Sequence, residues 1–142
     1  MITAVDTNVL FDILLPNKVF YEPSAAALQH SADQGSLVIS DIAYAELCAH
    51  FEKQRECDAF LESNGIRVQA LRREALFLAS RAWREYRQRG GQRNRVLADF
   101  LIGAHAHTQA SRLVSRDRGF YRAMFPSLDL FDPARPEPRK RR

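Results

Sequence analysis

Short apolar runs of β-favouring residues, ITAV, LVI, IRVQAL, RLVS and LDLF, recur along this chain with helical patterns between them. That rhythm constrains the fold more than any other feature. Strands separated by helices cannot be joined by tight hairpins; they pair in parallel, and each crossover lays a helix on a face of the sheet. The spacing predicts helices over about 8–15 and 22–34, one from Asp41 to about Phe51, and one from Glu56 to Ser63 ended by Asn64 and Gly65. A long helix follows from Arg73 to about Arg89, stopped by Gly90 and Gly91, and a mostly apolar one from Val96 to Thr108. The expected fold class is therefore α/β, a parallel sheet covered on both faces. The 142 residues fit a single domain, taken as residues 1–132. The remainder, 133–142, is Pro-rich and basic, cannot build a core and is expected to be a disordered tail.

Composition sets outer limits. With 46% apolar and 27% charged residues the chain belongs with packed globular proteins, not disordered or fibrous ones. Its apolar stretches are broken by acids well short of a membrane span, and the start, ITAVDTN, lacks a basic leader and cleavage site, so a cytoplasmic protein without membrane contact is expected. Cys48 and Cys57 have no CxxC spacing and read as buried reduced thiols. Arg139, Lys140, Arg141 and Arg142 account for the whole formal charge of +4, leaving the body neutral. Within that body, however, Arg72, Arg73, Arg81, Arg84, Arg87, Arg89, Arg93 and Arg95 face only Glu74 and Glu85. Such a stripe suits a polyanionic partner, although composition alone favours a solvated helix face.

Acids stand where a soluble fold would avoid them. Asp6, Glu46 and Asp99 are embedded in apolar runs, and Asp117 follows the strand RLVS. A carboxylate taken out of water costs several kcal/mol unless a cation or a set of donors compensates it. A shared divalent metal explains all of them at once: Mg²⁺ and Mn²⁺ take oxygen ligands, and hydrolysis of phosphodiesters is a common use of carboxylates unaccompanied by His or Cys. Asp6 falls at the carboxyl end of the first strand and Asp117 beyond that of the fourth. If those strands are neighbours where strand order reverses, both acids reach one crevice, with Glu46 and Asp99 arriving from adjoining helices.

The segments VDTNVLFDILL, SDIAYAELCAHF, GGQRNRVLADFLIGAHA and LVSRDRGFYRAMFP, in this order, carry a resemblance to the PIN-domain ribonucleases, and among them to the VapC-type toxins of bacterial toxin–antitoxin pairs. The likeness implies a five-stranded sheet of order 3-2-1-4-5. It also implies that Asp6, Glu46, Asp99 and Asp117 are catalytic and hold Mg²⁺ or Mn²⁺ for RNA cleavage by metal-activated water. Asn8 and Ser115 match positions that assist the site. Ala98 stands where related sequences often have Pro, a departure at the helix start and not at a ligand. The resemblance further implies a cognate antitoxin and a homodimer, for which Ala75, Leu78, Ala79, Ala82 and Trp83 offer an apolar face. Arg89, Arg93, Arg95 and Arg116 are the expected RNA contacts.

Ordinary explanations compete residue by residue. Asp6 can cap a helix, Glu46 can face solvent, and Asp117 between two arginines can be a turn residue; Asp99 is the hardest to explain so. Asp12 reads as a polar helix position. His105 and His107, two apart, point to different faces of a helix and cannot act as a zinc pair. Two other functions stay open. One is an aspartate-based phosphohydrolase, disfavoured because Asn8 occupies the place of its general acid. The other is a non-catalytic module, disfavoured by the intact acids.

Overall fold

The computed structural model describes residues 1–91 and 97–135. Strand β1 (Ile2–Val5) feeds α1 (Thr7–Leu14), and α2 (Tyr21–Gln34) leads into β2 (Ser36–Ser40). Helices α3 (Asp41–Cys48) and α4 (Gln54–Ser63) precede β3 (Ile66–Gln69). Then come α5 (Arg73–Gln88), α6 (Leu97–Gln109), β4 (Arg112–Val114), α7 (Arg118–Met124) and β5 (Leu130–Phe131). The five strands make one sheet in the order β3-β2-β1-β4-β5. Every pairing is parallel, with Ala4 opposite Val38, Val5 opposite Val114, Val38 opposite Arg67 and Val114 opposite Phe131. This is the expected α/β architecture and strand order. Chain order runs outward from β1 in both directions, so the switch point lies between β1 and β4.

Helices on both faces explain why Val5, Val38, Ile39, Leu113 and Val114 are completely enclosed. Local chemistry sets the entries and exits. Ser40 ends β2 and caps α3, its Oγ accepting the Ala43 N–H at 3.1 Å. Gly90 takes the left-handed conformation at φ 74° and closes α5, as expected of that Gly-Gly pair. At Gly103, a Cβ would collide with the Phe125 ring, so this glycine lets α6 sit close to the end of α7.

Several expectations shift. Helix α3 stops at Cys48, short of Phe51. The expected strand LDLF contracts to Leu130–Phe131. Helix α7 was not expected: seven residues that include Gly119 carry too little periodicity to be read, and the buried Phe120 and Tyr121 supply the packing that forms it. The apolar face assigned to dimerisation also changes. Ala75 and Ala79 are fully buried in the domain's own core, because α5 packs chiefly on α6, and the exposed apolar residues of α5 are Leu76 and Phe77. Cys48 and Cys57 are both free thiols, their sulfurs 3.4 Å apart. Of the segment from residue 133, residues 133–135 form a turn in which Asp132 Oδ1 accepts the Ala134 N–H at 2.9 Å. Residues 136–142 lie outside the described residues, as do Arg93 and Arg95.

Candidate functional site

Because Val5 and Val114 are register partners, the residues that follow them, Asp6 and Ser115, emerge side by side from the carboxyl edge of the sheet. Asp6 N–H continues the ladder to Val114 O at 3.0 Å. Its side chain is 5% exposed and receives only neutral donors. Thr7 N–H donates to Oδ1 at 2.8 Å, while Ser115 Oγ at 2.8 Å, Tyr121 OH at 3.0 Å and Asn8 Nδ2 at 3.4 Å donate to Oδ2. Burial raises the Asp6 pKa above its ordinary 3.8; the Ser115, Tyr121 and Thr7 hydrogen bonds oppose that rise, and the charge of Asp99 adds to it. Among the described residues Asp6 thus has donors but no counter-ion.

Glu46 lies on the second turn of α3. Its pKa is raised by burial, then by the charges of Asp6 and Asp99, against a hydrogen bond from Thr7. Glu46 Oε1 is sealed from solvent and has no hydrogen-bond partner. Asp99, in the first turn of α6, repels both Asp6 and Glu46. Asp117 joins through its backbone, its N–H donating to Ser115 Oγ at 3.0 Å. The Tyr121 phenol, whose pKa is pushed up chiefly by burial, also feels the charges of Asp6, Asp99 and Asp117. Asp6, Glu46 and Asp99 therefore influence one another at one edge of the sheet, and Asp117 reaches the same group through Ser115 and Tyr121. They are not a finished ligand shell: among the described residues, no group of three or more His, Cys, Asp or Glu side chains is set to hold a metal ion.

A hard cation fits this arrangement. An orphaned carboxylate oxygen on Glu46 and an ionisable Asp6 surrounded by neutral donors lack positive charge, which an oxygen-seeking ion would supply. Asn8 and Ser115 bridge the two halves of the site: Asn8 Nδ2 donates to Ser115 Oγ at 3.3 Å and Asn8 Oδ1 accepts the Arg116 N–H at 3.3 Å.

Three features escaped the sequence. Tyr121 is the third hydroxyl or amide group on Asp6 Oδ2, visible only once α7 is known. Asp12, read as a polar helix position, is instead 2% exposed and ion-paired. Arg116 Nε reaches its Oδ2 at 2.8 Å and Nη2 its Oδ1 at 3.0 Å, with Ser24 Oγ donating at 2.7 Å. The third is the place of Arg116, named as an RNA contact: its guanidinium is held by Asp12 and lies 4.0 Å over the Phe20 ring. This clamp fastens the turn that carries Ser115 and Asp117 onto α1. Arg89 is paired with Glu85 on its own helix. His105 is buried with Nε2 3.0 Å from Gln69 Oε1, and His107 is exposed, so neither belongs to the acid site.

The chain matches the PIN domain family over residues 3–126. No curated protein sequence matches it. Among solved structures, the fold is similar to a chain of VapBC2 from Rickettsia felis bound to a promoter DNA fragment. That match has 22% identity and TM-score 0.71, covering 93% of this chain and 98% of that one. VapBC-1 from nontypeable Haemophilus influenzae matches at 18% identity and TM-score 0.71, covering 94% and 98%. A toxin–antitoxin complex from Klebsiella pneumoniae matches at 20% identity and TM-score 0.66, covering 92% and 97%.

Proposed function

The chain belongs to the PIN domain family, and from that premise we propose that it is a metal-dependent endoribonuclease acting as the toxin of a toxin–antitoxin pair. The observation that carries this reading is the pairing, among the described residues, of a buried Asp6 without a counter-ion and a sealed Glu46 Oε1 without a partner, both feeling the charge of Asp99. A site built only for stability would have neutralised those charges.

Asp6, Asp99 and Asp117 are the residues that would hold Mg²⁺ or Mn²⁺, with Glu46 completing the set or orienting the attacking water. The bound ion would supply water activation and stabilisation of the charge that develops on the phosphate. The chain's own part is positional. Ser115, Tyr121 and Asn8 fix one oxygen of Asp6, and Thr7 N–H fixes the other, so the carboxylate is held in place at the carboxyl edge of the sheet. The Asp12–Arg116 clamp holds the turn bearing Ser115 and Asp117 at the same edge. No side-chain nucleophile is required, and Asn8 in the place of a second aspartate speaks against an aspartyl-phosphate route.

The assay is cleavage of single-stranded RNA with Mg²⁺ or Mn²⁺, with EDTA, and with Asp6→Asn. Cleavage only in the metal-containing wild-type reaction supports the proposal; metal-independent cleavage, or full activity in Asp6→Asn, sinks it. An antitoxin partner is proposed from the toxin–antitoxin complexes whose fold this chain shares. A homodimer is proposed through Leu76 and Phe77, 44% and 60% exposed; light scattering on Phe77→Glu tests it. Among the described residues no helix is long and apolar enough to cross a membrane.

A further inference from the structure

Arginines of α5 and arginines beside the acid site differ in what holds them. On α5, Arg81 stacks 4.7 Å over Phe77, Arg87 stacks 4.9 Å over Trp83, and Arg89 pairs with Glu85. Those three guanidinium groups are occupied by neighbours in sequence, whereas Arg84 of the same helix has no ion pair or ring contact among the described residues. Beside the acid site stand Arg118, Arg122 and Arg135. Among the described residues, none of these three side chains forms an ion pair or a ring contact.

Topology places this second set beside the acids. Strands β1, β4 and β5 lie next to one another and point the same way. Their carboxyl ends therefore release, in spatial order, Asp6, the Ser115–Asp117 turn, and the Asp132–Arg135 turn. Arg118 opens α7 immediately after Asp117, and Arg122 lies four residues on, along the same face of that helix. Together with Arg135 they line a cavity of about 490 Å³ that includes Asp117 and Phe20 in its wall. They also line a neighbouring one of about 270 Å³ that extends toward Leu130 and Phe131. The two cavities share Arg118, Arg122, Asp132 and Arg135, so they form one groove leading from the acid site across the β5 edge. Asp132 sits in its floor, buried, with one oxygen committed to the Ala134 N–H; Asp129 stands exposed at the far end.

We infer that this groove, and not the α5 stripe, carries the sugar–phosphate backbone of the RNA strand flanking the cleaved bond, with Arg118, Arg122 and Arg135 as its phosphate contacts. The inference rests on the ribonuclease reading. A strand whose scissile phosphate meets Asp6 and Asp117 must leave the site in some direction, and this path offers unoccupied guanidinium groups in continuity with Asp117. Arginine forks suit phosphate oxygens, and contacts of this kind weaken with salt in proportion to the phosphates neutralised.

The test compares the triple variant Arg118→Ala, Arg122→Ala, Arg135→Ala with an α5 control, Arg81→Ala, Arg84→Ala, Arg87→Ala, and with the Arg→Lys version of the groove triple. Cleavage of single-stranded RNA is measured for KM and kcat. In parallel, binding of a fluorescent RNA oligonucleotide to each protein in EDTA is measured from low to high salt. The groove triple should raise KM roughly thirtyfold with kcat within about twofold. It should also flatten the log affinity against log salt slope by about 2, from roughly 0.7 per phosphate contact. The α5 control should match wild type, and the lysine triple should recover the salt slope. A groove triple with wild-type KM and slope overturns the inference, as does an equal loss in the α5 control. A groove triple that loses only affinity for an acidic peptide, with RNA binding intact, overturns it in favour of a protein partner. If wild type cleaves no RNA, the ribonuclease reading has failed; the binding arm then judges the groove alone, and an unchanged slope rejects it.

Discussion

Two aspartates six positions apart, Asp6 and Asp12, bracket the first helix, both nearly inaccessible at 5% and 2% exposure, yet their surroundings are opposites. Asp12 brings its cation with it: Arg116 grips both carboxylate oxygens and Ser24 supports one of them. Asp6 is surrounded by an amide N–H, three hydroxyls and a carboxamide, all neutral, and the charge that adds to the rise of its pKa is that of another acid, Asp99. Neutral donors hold a carboxylate in place without cancelling its charge. The first pocket is a finished structural element; the second is an incomplete one, open to a positive charge from outside. Burial alone does not mark a functional carboxylate; what sets Asp6 apart is burial beside other acids with only neutral donors around it.

The contrast can be broken most forcefully at Asp12. Asp12→Asn leaves the Arg116 guanidinium without its anion and loosens the turn carrying Ser115 and Asp117. Urea unfolding should show a loss of about 3 kcal/mol; a change near zero would mean that the clamp is ornamental. Next in size is the effect of the missing cation. Mn²⁺ at about a hundred times its dissociation constant should stabilise wild type by roughly 2.7 kcal/mol, with no gain in Asp6→Asn, read as the shift in the thermal midpoint.

Acidity sharpens the comparison further. Asp6 and Glu46 have pKa values raised above their ordinary 3.8 and 4.5. Raised carboxyl values mean that the fold binds protons more tightly than the unfolded chain. The metal-free protein should therefore hold this stability below those ordinary values and lose it as pH climbs through the raised ones. Saturating Mn²⁺ should reverse the trend across the same window, because only the ionised acids bind it. A chelated protein that gains stability over that rise would show that these acids are already compensated. The smallest effect belongs to Tyr121→Phe. One of the donors to Asp6 Oδ2 is lost and the Asp6 pKa rises further, so the acidic limb of the cleavage profile should move to higher pH at a cost of about 1 kcal/mol in stability.

What the sequence revealed and what it hid divide along the same line. The alternation of strands and helices, the Gly90 stop and the acids in apolar runs are local signals, carried by neighbouring residues, and these were legible, whereas the ends of β3 and β5 were not. Asp12 and Arg116 lie at opposite ends of the chain, and nothing local in FDILL or SRDRG announces that they meet. Tyr121 was hidden for a related reason: its helix exists through tertiary packing of Phe120 and Tyr121 more than through its own periodicity. The alanines of α5 misled because an apolar helix face does not say whether it meets its own core or a second subunit. Here Ala75 and Ala79 meet the core.

Direct Mn²⁺ binding, followed by calorimetry on chelator-stripped wild type and Asp6→Asn, bears most closely on the Asp6 pocket. Saturable binding by wild type that disappears in Asp6→Asn, with the variant in EDTA about 1 kcal/mol more stable than wild type, is the predicted outcome. Equal Mn²⁺ binding by both proteins, or a variant less stable than wild type in EDTA, would contradict it.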